Sequence, residues 1–278
     1  MKKVIVILLA VIVVLCPVVL TACSSVNQLN SISVSFKDYE QFVYNIYEDN
    51  VVDPIGTMTY TFERINAETT LHVGPGEYTV SEGAIITTEV NITAGTYQGD
   101  HIQSVVLVKS SLLAVASYKV YESQDEARAY TSYVVYGNKK VNFTINGKES
   151  SHKVRSCYDN DSLYTLARAS RLSESSYSLS VAGVDNLQGN TRSVSFGKGA
   201  DVEMGCDAVL DGEGQRKPIN CYHVVLSTSA QYGKGAQTHI YLAIDKSEET
   251  QKVLKVPVKI VEGTYSYILA SISLVKPE

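Results

Sequence analysis

Residues 58–65 read Met58-Thr59-Tyr60-Thr61-Phe62-Glu63-Arg64-Ile65, and apolar and polar side chains alternate along this stretch. Successive side chains of a β-strand point to opposite faces, so Met58, Tyr60 and Phe62 share one face. Alternation of this kind is typical of a half-buried strand. The stretch therefore predicts a β-protein whose sheet buries one face.

The same pattern continues along most of the chain. Stretches rich in Val, Ile, Thr and Tyr are separated by glycine-containing turn signals, which is the signature of short strands. Two hairpins are predicted: Tyr133–Tyr136 with Val141–Ile145 around Gly137-Asn138, and Val253–Ile260 with Tyr265–Leu274 around Gly263. Pro257 cannot donate a ladder hydrogen bond, which predicts an edge position or a bulge there.

One segment has helical rather than strand spacing. Asp161 is followed by apolar residues at Leu163, Leu166 and Ala167, which predicts a short helix over residues 161–169 with Asp161 as its N-cap. Ser123–Ala129 is a second candidate helix, with a charged turn as the alternative. The residues thus predict an antiparallel β-protein with one or two short helices.

The chain begins with a targeting signal. Lys2 and Lys3 precede an uncharged apolar run over residues 4–20, and Leu20-Thr21-Ala22-Cys23 follows. This ending resembles the lipobox of bacterial lipoproteins, which implies cleavage before Cys23 and lipidation of its sulfur. We expect a signal peptide over residues 1–22, a lipidated tether over 23–30 and a single β-rich domain over 31–278.

The alternative for this segment is an uncleaved membrane helix, because residues 4–22 are just long enough to span a bilayer. Pro17 and the small residues before Cys23 favour cleavage. Either outcome leaves the rest of the chain outside the cytoplasm, anchored to the cell membrane.

The charge of the chain bears on its partners. The formal net charge is −5, and it becomes −7 once Lys2 and Lys3 leave with the signal peptide. An acidic domain is repelled by nucleic acid and by anionic lipid headgroups. We predict no nucleic-acid partner.

Three cysteines remain once Cys16 is removed and Cys23 is lipidated. Cys206 and Cys221 flank a Gly/Pro-rich turn, so a disulfide between them is a candidate in an oxidising compartment. The alternative is that both, together with Cys157, are small buried apolar residues.

Motifs for catalysis or metal binding are weak. Cys221 and His223 share a strand face, and with His239 and Cys206 they form a candidate zinc site, but their spacing matches no zinc motif. The sequence contains no Gly-x-Ser-x-Gly elbow and no phosphate-binding Gly-x-x-x-x-Gly-Lys loop. We therefore predict no metal, no cofactor and no catalytic residue, and hence a protein that is not an enzyme.

Several C-terminal segments carry a family resemblance. They are Asp161–Arg168, Ile219–Val225, His239–Asp245, Val256–Ile260 and Gly263–Tyr265. These segments resemble an envelope-protein family known as domain of unknown function 3108, over about residues 155–278. The sequence departs from that family in having no tryptophan, with Tyr241-Leu242-Ala243 where an aromatic-rich strand is usual.

The resemblance implies a fold of the lipoprotein-localisation-factor type, an incomplete antiparallel barrel or curved sheet. It also implies a binding cavity for a lipid or an acylated ligand between the sheet and the helix, near Leu163, Leu166 and Arg168. The competing hypothesis is a structural or protein-interaction module that uses a strand edge or some of the 19 tyrosines. A hydrolytic enzyme is the third, and it requires a polar cluster that sequence order does not reveal.

Overall fold

The structure is a computed structural model that describes residues 29, 36–170, 176–185, 187–228, 237–244 and 255–277. The predicted signal peptide, Cys23 and most of the tether lie outside these residues. The strands are β1 Tyr39–Glu48, β2 Gly56–Ile65, β3 Thr69–Val73, β4 Gly76–Val80, β5 Gly83–Ile92, β6 His101–Lys109, β7 Ala114–Glu122, β8 Tyr130–Tyr136, β9 Lys140–Ile145, β10 Lys148–Lys153, β11 Tyr158–Asp159, β12 Tyr177–Asp185, β13 Gln188–Lys198, β14 Val202–Leu210, β15 Arg216–Thr228, β16 Gln237–Ala243, β17 Pro257–Glu262 and β18 Tyr265–Ser273. A 3-10 turn, Asn160–Ser162, leads into the helix α1, Leu163–Ala169.

One large sheet contains sixteen of these strands. Its order is β10-β9-β8-β7-β6-β5-β2-β1-β18-β17-β16-β15-β13-β12-β11, with β14 paired to β15, while β3 and β4 form a separate hairpin. Every pairing is antiparallel except that of β11 with β12. Both predicted hairpins, β8–β9 and β17–β18, are confirmed.

The alternation along residues 58–65 decides which face of the sheet is buried. Met58, Tyr60 and Phe62 are buried on β2, and Phe42, Tyr44 and Ile46 are buried on the neighbouring β1. Directly opposite residues of an antiparallel pair lie on the same face, and Phe42 stands opposite Tyr60. The sheet therefore curves around one apolar interior, as the alternation predicts.

The two ends of the sheet meet through side chains, and no strand pairing joins them in the described part of the chain. Val141 and Phe143 of β9 pack in one apolar cluster with Ala182 of β12. Gly189 at the start of β13 leaves the space that the Phe143 ring occupies, because a Cβ there would overlap the ring. The result is an incomplete antiparallel barrel with one short α-helix among the described residues, which confirms the predicted fold class.

The structure refines three local predictions. Pro257 lies next to a register shift between β16 and β17, so the bulge alternative is right and the edge alternative is wrong. Ser123–Ala129 is a turn and not a helix. The helical segment caps on Asp159, whose carboxylate accepts a hydrogen bond from the Asp161 backbone N–H at 2.7 Å, and not on Asp161.

The candidate disulfide is not formed. Cys157, Cys206 and Cys221 are free and buried, as in the alternative prediction. The physical reason is register, because Val202 rather than Cys206 stands opposite Cys221 in the β14–β15 pair. The predicted single domain over residues 31–278 stays a prediction, since its first residues are outside the described part of the chain.

Candidate functional site

The helix fills much of the space that the curved sheet encloses. Leu166 and Arg168 of α1 are fully buried, and the Arg168 guanidinium forms an ion pair with Glu40 at 2.6 Å. The same guanidinium stacks over the rings of Phe36 and Phe42. We call this region the helix core and define it by Glu40, Phe42, Tyr60, Leu166 and Arg168.

Two of the three residues predicted to lie near a ligand, Leu166 and Arg168, belong to the helix core, so that part of the prediction is wrong. Leu166 and Arg168 are interior packing residues with no exposed surface, so they do not line a cavity. Their burial has a simple cause, because α1 packs inside the sheet and the Tyr60 hydroxyl contacts the Thr165 hydroxyl. Leu163, the third predicted residue, does line a pocket.

That pocket lies beside the start of α1 and has a volume of about 180 Å³. One wall is apolar and contains Met58, Val90, Ile102 and Leu163. The other lining residues carry polar groups, and Thr88 and Ser104 among them lie two residues from Val90 and Ile102 on the same strands. The full polar set is Thr88, Ser104, Lys119, Asn160, Asp161, Tyr164, Glu262 and Tyr267. We call it the polar pocket.

Strand register assembles the polar side of the pocket. Starting from Tyr60, directly opposite residues on successive strands are Thr88, Ser104, Lys119 and Ser132. Cross-strand partners share a face, so all four side chains lie on the inner face that Tyr60 occupies. A row of polar residues on the inside of a sheet is informative, because inward positions are ordinarily apolar.

Lys119 is held by one carboxylate at the edge of the pocket. Its ammonium donates to Asp161 at 3.0 Å. Burial acts to lower the pKa of Lys119, but the charge and hydrogen bond of Asp161 together with Tyr130 and Asp159 outweigh it, and the pKa is raised above its ordinary value. Lys119 is therefore a fixed positive charge that is already paired.

Glu262 of β17 is a partly buried carboxyl group that also lines the pocket. It accepts a hydrogen bond from the Tyr164 hydroxyl at 3.0 Å. Burial raises the pKa of Glu262, and the hydrogen bond from Tyr164 partly offsets that effect. Among the described residues, no cation lies within ion-pair distance of this carboxyl group.

Two hydroxyl groups of the pocket remain open to a ligand. Within the described chain, neither Tyr267 nor Ser104 has a side-chain hydrogen-bond partner. Ser104 is almost fully buried, with 4% of its surface exposed, and that surface lines the pocket. Burial raises the pKa of Tyr267, which keeps its hydroxyl protonated.

A second, smaller hollow of about 40 Å³ adjoins the polar pocket and shares Lys119 and Asp161 with it. Its buried acid is Asp159, which accepts a hydrogen bond from the Tyr136 hydroxyl. Burial and the neighbouring Asp161 raise the pKa of Asp159 to about 6. Pocket and hollow thus form one polar region beside the helix core.

The histidines of the candidate zinc site do meet, but away from this region. His223 and His239 stack, with Nε2 of His223 3.0 Å from Nδ1 of His239. Burial and the neighbouring His239 lower the pKa of His223. In the part of the chain that the structure describes, no group of three or more His, Cys, Asp or Glu residues is arranged to hold a metal ion.

Sequence reasoning missed the pocket residues on the strands. The one usable signal is local: on β6, Ser104 is a polar residue in an inward series that otherwise reads Ile102, Val106 and Val108. The partnership of Ser104 with Thr88 and Lys119 depends on register between separate strands.

Comparisons with known proteins give little further guidance. No family model matches the chain and no curated protein matches it, so the resemblance to domain of unknown function 3108 stays a prediction. A crystal structure of a beta-barrel-like protein of domain of unknown function DUF1849 from Brucella abortus is similar with a TM-score of 0.49 and 10% identity, covering 84% of this chain and 97% of that one. The fold described above stands on the strands of this chain and does not depend on that neighbour.

Among the residues described, no helix has both the length and the apolar character needed to cross a membrane.

Proposed function

We propose that the chain is a lipoprotein of the bacterial envelope, anchored through Cys23, whose barrel-like domain binds a small amphipathic ligand in the polar pocket without catalysing a reaction. The observation that carries the proposal is the pocket itself. Its lining combines apolar side chains with polar ones, and the hydroxyl groups of Ser104 and Tyr267 have no side-chain partner among the described residues.

The size of the pocket limits the ligand. An apolar cavity of about 150 Å³ is enough to hold benzene, and the polar pocket has about 180 Å³. A ligand, or the inserted part of a larger one, therefore has roughly six to eight non-hydrogen atoms. This size is smaller than the whole lipid that the resemblance implies, and the buried residues of α1 take up interior space beside the pocket.

The state of Lys119 favours a binding role for this residue over a catalytic one. A catalytic lysine needs a lowered pKa to act as a base or nucleophile. The pKa of Lys119 is raised instead, and its ammonium is paired with Asp161. The group therefore suits the positioning of a polar ligand better than proton transfer.

Native mass spectrometry of the full-length chain, purified from bacterial envelope, tests the ligand-binding function. We expect a bound small molecule that an organic extract recovers in stoichiometric amount. The control is the Ser104→Leu variant, whose larger side chain fills the pocket and which should lose the adduct. A ligand-free mass in wild-type protein that also ignores added envelope extract would contradict the proposal.

The anchor is tested separately. Lys2, Lys3, the apolar run and Thr21-Ala22-Cys23 support lipidation of Cys23. Cells fed labelled palmitate should label the wild-type chain and the Cys16→Ser variant, but not Cys23→Ser. Label in Cys23→Ser would exclude the anchor while leaving the ligand site untouched.

The second candidate function is a structural or protein-interaction module of the envelope. The filled helix core favours it, because most of the barrel interior serves packing rather than binding. A ligand-free pocket together with capture of an envelope protein on the intact chain would move the assignment to this candidate.

A further inference from the structure

We infer that the polar pocket takes a small organic cation, with a primary ammonium group directed to Glu262 and a short apolar body against Met58, Val90 and Ile102. The inference rests on the proposed ligand-binding function and names the chemical class of its ligand.

Charge compensation is the first step. Lys119 is the cation that lines the pocket, and Asp161 already neutralises it at 3.0 Å. The carboxyl group of Glu262 accepts hydrogen bonds from neutral partners, the hydroxyl groups of Tyr164 and Thr238, while the opposite charges of Lys119 and Asp161 both act on it from beyond ion-pair distance. An ionised carboxylate that is partly withdrawn from water is stabilised strongly by an opposite charge. The pocket thus has a surplus of negative charge beside empty space.

Hydrogen-bond capacity is the second step. An ammonium group offers three N–H donors and no acceptor. The pocket presents oxygen acceptors, namely the carboxylate of Glu262 and the open hydroxyl oxygens of Tyr267 and Ser104. A ligand carboxylate would instead place a second negative charge next to Glu262, and its natural partner, Lys119, is already occupied.

The apolar lining residues determine the chemistry of the uncharged part of the ligand. Met58, Val90, Ile102 and Leu163 come from three strands and the start of α1 and present hydrocarbon toward the same space. Burying a methylene group in such a setting favours binding. A bare metal ion would leave this wall unused, whereas a short alkylammonium covers it.

Isothermal titration calorimetry on the full-length chain in detergent tests the inference with three probes of similar size: n-pentylammonium, 1-pentanol and butyrate. Titration into protein-free micelles of the same composition corrects for partitioning. At pH 7.5 we expect n-pentylammonium to bind at least about tenfold more tightly than 1-pentanol, because a charge-assisted hydrogen bond is roughly twice as strong as a neutral one. Butyrate should give no measurable heat.

Variants locate the effect. Glu262→Gln keeps the shape of the side chain and removes its charge, so the preference for ammonium over alcohol should disappear. Glu203→Gln, an exposed carboxyl on β14, is the matched control and should bind like the wild type. If Glu262→Gln fails to fold, acidification tests the inference on wild-type protein. Glu262 faces the charges of Lys119 and Asp161 in the pocket, and its protonation should weaken binding of n-pentylammonium but not of 1-pentanol.

The outcomes separate the two proposals. Equal binding of n-pentylammonium and 1-pentanol, or tighter binding of butyrate, would overturn the cation inference. Binding of 1-pentanol or butyrate that Ser104→Leu abolishes would leave the ligand-binding function standing. No heat from any probe would overturn the cation inference, and the native mass spectrum would then decide the ligand-binding function.

Discussion

One row of cross-strand partners on the inner face of the sheet has two different surroundings: one half packs against α1 and the other half borders the polar pocket. Phe42 and Tyr60 stand opposite each other on β1 and β2 and pack against α1 in the helix core. On the next strands the same row continues as Thr88, Ser104 and Lys119, where it borders the polar pocket. The comparison shows that one curved sheet packs one half of this row against a helix and lines a polar pocket with the other half.

Polar side chains in the two halves differ in whether they have hydrogen-bond or ion-pair partners within the protein. Arg168 and Glu40 pair within the helix core, and the Tyr44 hydroxyl donates to the Pro257 carbonyl at 3.0 Å. In the pocket, the Tyr267 and Ser104 hydroxyls have no protein partner among the described residues. Substitutions in the first half should therefore cost stability, and comparable ones in the second should cost little.

The largest expected effect is at the centre of the helix core. Arg168→Met leaves the Glu40 carboxylate buried without its ion-pair partner, and breaking a buried pair from one side costs about 3–5 kcal/mol. Urea denaturation followed by circular dichroism measures the change in the free energy of unfolding. Arg155→Met, on an exposed loop, is the matched control and should stay within about 0.5 kcal/mol of wild type.

A double variant sharpens this result. Replacing both partners, as Glu40→Leu with Arg168→Met, removes the orphaned charge and should recover part of the loss. A loss below about 1 kcal/mol for Arg168→Met alone would contradict the assignment of this region as the stabilising half.

The raised pKa of Asp159, which lines the smaller hollow, makes the free energy of unfolding depend on pH. Its pKa is raised from 3.8 to about 6 by burial and by Asp161, so the folded state holds the proton more tightly than the unfolded state. The associated stability is present below pH 3.8 and is lost as the pH rises toward 6. This difference corresponds to roughly 3 kcal/mol.

Asp159→Asn tests that dependence, because asparagine still caps the turn but does not ionise. We expect the free energy of unfolding of the variant, relative to wild type, to rise by up to about 3 kcal/mol between pH 4 and pH 7. Taking the difference between the two proteins cancels the contribution of other groups. A difference that is the same at both pH values would contradict the prediction.

Much of the fold could be predicted from local sequence. The alternation of Met58, Tyr60 and Phe62 and the turns at Gly137 and Gly263 specify strands and hairpins because each signal lies within a few residues. The prediction of Asp161 as N-cap is wrong, because Asp159 and Asp161 are chemically the same and local sequence does not distinguish them. Only backbone conformation distinguishes them, and it is Asp159 that is extended.

The pocket could not be predicted in the same way. Thr88, Ser104 and Lys119 come from three strands, and nothing in their spacing along the chain reveals that they are cross-strand partners. The sequence does not reveal that Leu166 and Arg168 are buried, because helical spacing does not say which face of the helix packs into a core. Burial of Arg168 needs Glu40, which lies far away in sequence.

The smallest expected effect contrasts two tyrosine hydroxyls. Tyr60→Phe removes the contact with Thr165 and leaves a buried hydroxyl unpaired, which costs about 1–2 kcal/mol. Tyr267→Phe removes a hydroxyl without a protein partner and should change stability by no more than about 0.5 kcal/mol. Thermal denaturation of both variants measures the contrast, and equal losses would erase the proposed difference between the two halves.

Ser104→Leu tests most directly whether the polar half is kept open for a ligand. Leucine adds apolar volume where the structure has a pocket of about 180 Å³. Filling a real cavity should leave the free energy of unfolding unchanged or raise it by about 0.5–2 kcal/mol while binding of n-pentylammonium is lost. A loss of about 1–3 kcal/mol, the usual cost of overpacking, with no change in binding would contradict the account.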